Sequence, residues 1–129
     1  MVIDTSAILA VLFKAPEAAE FLDRIASDPL RLVSAAGVLE ASMVIETRYG
    51  ETGGHELDLF LDRIDVEIVA IDAELAEAAR HAWRRYGQGR HPASLNFGDC
   101  FSYALAAARD EPLLFKGNDF SSTDIRPVA

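Results

Sequence analysis

Apolar residues come along this chain in two rhythms. Short blocks of them end in acids or hydroxyls, and between those blocks they recur every three or four positions. Residues 1–12 set the first rhythm: Val2 and Ile3 run into Asp4, Thr5 and Ser6, and a second apolar run follows. That pattern predicts a short buried strand ending at Asp4 and a helix beginning at once after it. Ala15-Pro16-Glu17 predicts a second helix, with proline at its first position and an acid in its first turn. Ala18, Phe21, Leu22 and Ile25 give that helix one apolar face, and Ser27-Asp28-Pro29 stops it. Residues 30–35 are apolar enough for a second buried strand. A third helix is expected over 37–49, closed by Gly50 at its C-cap, with Gly53-Gly54 as a turn. Leu57, Phe60, Leu61 and Ile64 then form the apolar face of a fourth helix.

Residues 66–71 alternate and then run apolar, as a strand nearer an edge does. Asp72 caps a fifth helix in which Leu75, Ala79, Ala82, Trp83 and Tyr86 share a core-facing stripe. A long loop follows over 87–96, and long loops in compact domains tend to carry function. Asn96 is placed to cap a sixth helix, with Asp99 three positions on in a capping box. Cys100, Phe101 and Leu105 are expected on that helix's buried side. Residues 112–115 form another central strand, and Asp124-Ile125 begins a short edge strand. This order of strands and paired helices predicts an α/β fold: one domain over 1–129, a three-layer α/β/α sandwich on a mainly parallel central sheet.

Composition narrows the function. Half of the 129 residues are hydrophobic, which a globular core needs. No apolar run approaches the roughly 20 residues that cross a bilayer, and residues 1–12 are not expected to be a signal peptide, since they lack a basic leader and carry Asp4 in their apolar part. The lone Cys100 fits a reducing cytoplasm. A net charge of −9 argues against a general, charge-driven nucleic-acid binder, but leaves room for one local basic patch. Arg80, His81, Arg84, Arg85, Arg90 and His91 supply such a patch on the fifth helix and the loop after it.

Four carboxylates stand out. Asp4 and Asp119 follow the carboxyl ends of strands, Asp99 opens a helix, and Glu40 sits one turn into a helix among apolar neighbours, with no intrahelical cation to pair with. In a parallel sheet all four reach one end, where such folds bind ligands. Clustered carboxylates repel unless a cation joins them. An all-oxygen set suits Mg²⁺ or Mn²⁺, which activate water for attack on phosphate. The chain has no zinc-like His/Cys spacing, no glycine-rich phosphate loop and no serine elbow. A Cys100–His91 pair lacks an orienting third group.

The residues Val-Ile-Asp4-Thr-Ser6, Glu40 and Asn-Phe-Gly-Asp99-Cys, with Leu-Leu-Phe-Lys-Gly-Asn-Asp119-Phe after them, resemble a PIN domain. More narrowly, they resemble a VapC-type toxin of a bacterial toxin–antitoxin pair, over essentially the whole chain. The resemblance implies a Mg²⁺- or Mn²⁺-dependent endoribonuclease acting on tRNA or ribosomal RNA. It also implies a homodimer, and a cognate VapB-like antitoxin whose basic tail occupies the acidic groove. It makes Asp4 and Asp99 direct metal ligands, gives Glu40 a metal or a water to hold, and makes Ser6 the accompanying hydroxyl. Asp119 is the fourth acid, with Asp124 as the alternative. Arg84, Arg85, Arg90 and His91 would hold the phosphate backbone. Two other classes stay open on the residues alone. One is a receiver-like, Mg²⁺-binding phospho-signalling module, which wants paired acids after the first strand. The other is a non-catalytic interaction domain in which the acids are caps.

Overall fold

The alternation of side chains along very short strands decides which helices lie on which side. The computed structural model describes residues 1–129 and contains four parallel strands: β1 (Val2–Ile3), β2 (Leu32–Ser34), β3 (Glu67–Val69) and β4 (Leu113–Leu114). They lie in the order β3-β2-β1-β4, with Val2 opposite both Leu32 and Leu113. Successive residues of a strand face opposite ways. Ile3, Val33 and Leu114 therefore enter one core, and Val2, Leu32 and Leu113 enter the other. The first core is covered by α1 (Thr5–Leu12), α2 (Ala18–Ser27) and α3 (Ala35–Arg63), through residues such as Ile8, Phe21 and Ile45. The second is covered by α4 (Ala73–Tyr86) and α5 (Phe97–Arg109), through Leu75, Tyr86 and Leu105. This is the predicted three-layer sandwich. Because β2 and β3 lie to one side of β1 and β4 to the other, the strand order reverses between β1 and β4. A parallel sheet opens a crevice at such a reversal.

Several local expectations are corrected. Residues 113–114 form the last of the four strands, not a central one. On their outer side Leu113 bridges Pro127, donating its N–H to Arg126 and accepting from Val128. The edge segment thus lies two residues beyond the predicted Asp124-Ile125. The second helix begins at Ala18, after Pro16, with Glu17 as its N-cap.

The expected third and fourth helices form one element, α3, sharply kinked at Gly50, where φ is 69° and ψ is −163°. Only glycine takes that conformation without strain, and it is not the left-handed helical cap expected there. Gly53 and Gly54 are helical rather than a turn. Past the kink, Gly53 packs against Ile45 of the first half, so closely that a Cβ would lie 2.9 Å from the Ile45 carbonyl oxygen. Trp83 is also not a core residue. Leu75, Ala79, Ala82 and Tyr86 are buried as expected, but Trp83 remains 43% exposed.

The two neighbouring glycines give a paired test. At Gly54 an added Cβ meets only the carboxyl end of the Glu46 side chain, which can swing away. Gly53→Ala should therefore cost about 1–3 kcal/mol in urea denaturation through overpacking. Gly54→Ala should be neutral or stabilising by up to about 1 kcal/mol, since alanine is the better helix former. Equal effects at the two positions would contradict the packing described for the kink.

Candidate active site

The site grows from the carboxyl end of β1. Asp4 ends the strand with extended backbone and caps α1, its carboxylate accepting the Ser6 N–H at 3.0 Å and the Ser6 hydroxyl at 2.6 Å. Its other oxygen accepts the Ser102 hydroxyl, 2.5 Å away on α5. A carboxylate only 3% exposed needs such donors, because burial without them is costly. The Ser6 hydroxyl in turn accepts the Lys116 N–H at 2.9 Å, which ties the loop after β4 to the start of α1. One layer below, Ser34 caps α3 by accepting the Gly37 N–H, and the Thr5 hydroxyl donates to the Gly37 carbonyl. Two helix starts, α1 and α3, are thereby locked side by side.

The other acids meet around Asp99. Asn96 and Asp99 form the predicted capping box, the Asp99 carboxylate accepting the Asn96 N–H at 3.0 Å. Glu40, in the second turn of α3, extends its carboxylate over the backbone of Gly98. A Cβ at Gly98 would fall 2.3 Å from a Glu40 oxygen. The Asp99 carboxyl is pushed up from 3.8 to about 6. Burial is the main cause, and the charges of Asp4, Asp119 and Glu40 add to it, against the opposing Asn96 N–H. Asp119 opens the short 3₁₀ turn Asp119–Ser122, and its charge is among those that crowd Asp99. Asp124 is engaged elsewhere: it accepts the Tyr103 hydroxyl and pairs with Arg85 at 3.3 Å, and these partners hold its carboxyl below the ordinary value.

The structure disperses the basic residues over one end of α4 and the following loop. Arg80 and His81 both face Glu77. Arg85 is taken by Asp124, while Arg90 lays its guanidinium over the Trp83 ring at 4.2 Å. Arg84 is exposed and in no ion pair. His91 is held against the Tyr86 ring, its Nδ1 accepting the Ala93 N–H at 3.0 Å. Cys100 is buried, and burial pushes its thiol up, so it is a poor nucleophile.

Every donor that α1, α3, α5 and the 3₁₀ turn offer here is an oxygen, the set that Mg²⁺ or Mn²⁺ prefers over zinc. As they stand, no three of these side chains are gathered tightly enough to hold an ion. The charges of Asp4, Asp119 and Glu40 add to the burial that raises the Asp99 carboxyl, and a cation among them would relieve both. The donor chemistry fits a divalent cation. Sequence reasoning missed two contributors to this arrangement. Ser102 follows Asp99 by three positions, hence on nearly the same helical face, and a hydroxyl amid Cys100, Tyr103 and alanines was its only signal. Gly98, which leaves room for Glu40, had none.

Comparison with known proteins places this geometry in context. The PIN domain family matches residues 1–126. "Ribonuclease VapC" of Mycolicibacterium smegmatis is 56% identical over 128 residues, covering 99% of both chains. The crystal structure of Mycobacterium tuberculosis VapC20, described as a sarcin-ricin loop cleaving toxin, superposes with a TM-score of 0.78 at 18% identity. That alignment covers 96% of this chain and 95% of that one. A toxin–antitoxin complex from Klebsiella pneumoniae gives a TM-score of 0.73 at 18% identity, over 95% and 92% of the two chains. At that identity the two structures attest the fold.

The burial of Asp99, with the acids around it, sets a pH dependence with a definite sign. Its folded carboxyl binds a proton more tightly than the unfolded one, about 6 against 3.8. The resulting stability is present at low pH and is lost as pH rises through about 6. Asp99→Asn keeps an oxygen acceptor for the Asn96 N–H and removes the charge. In EDTA, the variant's unfolding free energy should gain on the parent's by up to about 3 kcal/mol between roughly pH 4 and pH 7. A difference that stays flat across that window would mean that neither burial nor the neighbouring acids raise Asp99.

Proposed function

The chain belongs to the PIN domain family and to its VapC ribonucleases, and on that premise we propose that it cuts RNA with a divalent cation held among Asp4, Glu40, Asp99 and Asp119. The observation that supports this most is the Asp99 carboxyl. Three acids from separate segments bear on it at the edge where the strand order reverses. When bound, Mg²⁺ or Mn²⁺ supplies the positive charge these acids lack and eases attack of water on phosphorus. Asp4 and Asp99 present direct oxygen ligands, and Glu40, its carboxylate against the backbone of Gly98, binds the ion or orients water. Ser6 and Ser102 fix the rotation of the Asp4 carboxylate, leaving little to reorganise when the ion enters. Arg84, which is in no ion pair, and Arg90 hold the phosphate backbone, joined by Arg85 and His91 where the strand displaces Asp124 and the Tyr86 contact.

Other parts of the reading follow from the same premise. The substrate is tRNA or ribosomal RNA, and the chain works in the cytoplasm as a homodimer. A VapB-like antitoxin silences it by placing a basic tail among the carboxylates, for which a net charge of −9 is suited. No helix is long and apolar enough to cross a membrane. A receiver module finds no support, since Asp4 stands alone after β1, where paired acids would be needed, and α1 begins at once after it.

Purified protein incubated with total cellular RNA should yield discrete products with Mg²⁺ or Mn²⁺ and none with EDTA. Asp99→Asn or Asp4→Asn, folded by circular dichroism, should lose at least about 100-fold in rate. Equal cutting by parent and variants would trace the activity to a contaminant and sink the proposal. Ser102→Ala should cost about 10- to 100-fold, as loss of a partner to a ligand does. Gly98→Ala should lower cleavage with little loss of stability, because it displaces only the mobile end of Glu40.

A further inference from the structure

Beside the carboxylates, the start of α5 and the end of α4 enclose a groove of about 470 Å³ that the carboxylate chemistry does not use. Its walls are aromatic: Phe97, which is 81% exposed, Phe101, which meets Phe97 edge-on at 5.0 Å between centroids, and Trp83. Its rim is polar, with Asn96, Gln88 and Arg80. A phenyl ring left that open in the first turn of a helix contributes little to folding and stands out on a surface rich in acids.

The groove is continuous with the site. Asn96 lines it and at the same time donates its N–H to the Asp99 carboxylate, and Phe97 precedes Asp99 by only two residues. We infer that this groove is a base-stacking subsite, in which an unpaired nucleobase of the RNA lies between Phe97 and Trp83 while its neighbouring phosphate sits at the carboxylates. The inference rests on the ribonuclease reading above and adds what the site selects.

Three features favour a nucleobase over an apolar protein segment. Flat aromatic walls match a π-face, and stacking on aromatics is the common mode by which proteins grip single-stranded RNA. The NH2 of Asn96, whose oxygen caps α5, and the exposed amide of Gln88 offer donors and an acceptor to a base edge, which a purely apolar side chain would leave unused. Two arginines in no ion pair flank the groove although the chain is acidic overall. Arg90 stacks on Trp83, and the unpaired Arg84 lies one residue further along α4, so a polyanionic strand is drawn to this flank.

The test compares the parent with Phe97→Leu, Phe97→Tyr and Trp83→Leu. Cut sites are mapped on total cellular RNA with Mg²⁺, and kinetics follow on a short single-stranded RNA carrying one mapped cut. Phe97→Leu keeps the apolar volume but loses the ring. It should raise KM by about 10- to 100-fold with kcat little changed, and relax the base preference next to the cut. Trp83→Leu should do the same, while Phe97→Tyr should stay within about threefold of the parent. Unchanged KM and unchanged cut sites in a parent that does cleave would overturn the subsite alone. A shift in molecular mass by light scattering with cleavage intact would make the groove a contact between copies, which also overturns it. Absence of metal-dependent cutting by the parent would bring down the ribonuclease reading and the subsite together.

Discussion

A carboxylate buried to 3% exposure at the end of the central strand is the constraint around which this molecule is arranged. Asp4 is held by two donors from α1 and one from α5, so those helices must start or pass within hydrogen-bond reach of β1. The loop after β4 is drawn in through the same serine that serves Asp4. Strands of two or three residues cannot dictate such precision by their own pairing. The polar contacts at the carboxyl edge do, while the two apolar cores beneath supply most of the stabilisation.

The sequence made some parts of this legible and hid others, for identifiable reasons. Period-two alternation at Val2-Ile3, Leu32-Val33 and Leu113-Leu114 separates the two cores directly. The Asn96–Asp99 spacing marks its capping box without ambiguity. What it obscured depends on contacts between distant segments. Gly50 reads as a helix end, and the backbone does leave the helix there, but the following residues resume it because Gly53 can pack on Ile45. Trp83 shares the periodicity of α4's buried stripe, yet lies at its margin over Gly87, facing solvent.

The acids show the same division. Each residue type and position could be read, and Glu40's lack of an intrahelical cation marked it out. Their mutual influence needed three dimensions. Asp119 and Asp124 differ in partners invisible in sequence: Tyr103 and Arg85 engage Asp124, while the charge of Asp119 bears on Asp99. The basic patch illustrates the reverse. Six cationic or titratable residues close in sequence suggest one surface, yet Arg80, His81 and Arg85 are already matched to acids.

The position of Trp83 also gives the protein an optical property. It is the only tryptophan in the chain, and it lies outside both cores, half open to solvent beneath a guanidinium. Its emission therefore reports on the α4–α5 groove and on Arg90, not on the packing of the sheet. Fluorescence titrations of this molecule read local occupancy of that groove, and a melting curve followed at the same wavelength reads the margin between α4 and α5 rather than the sheet.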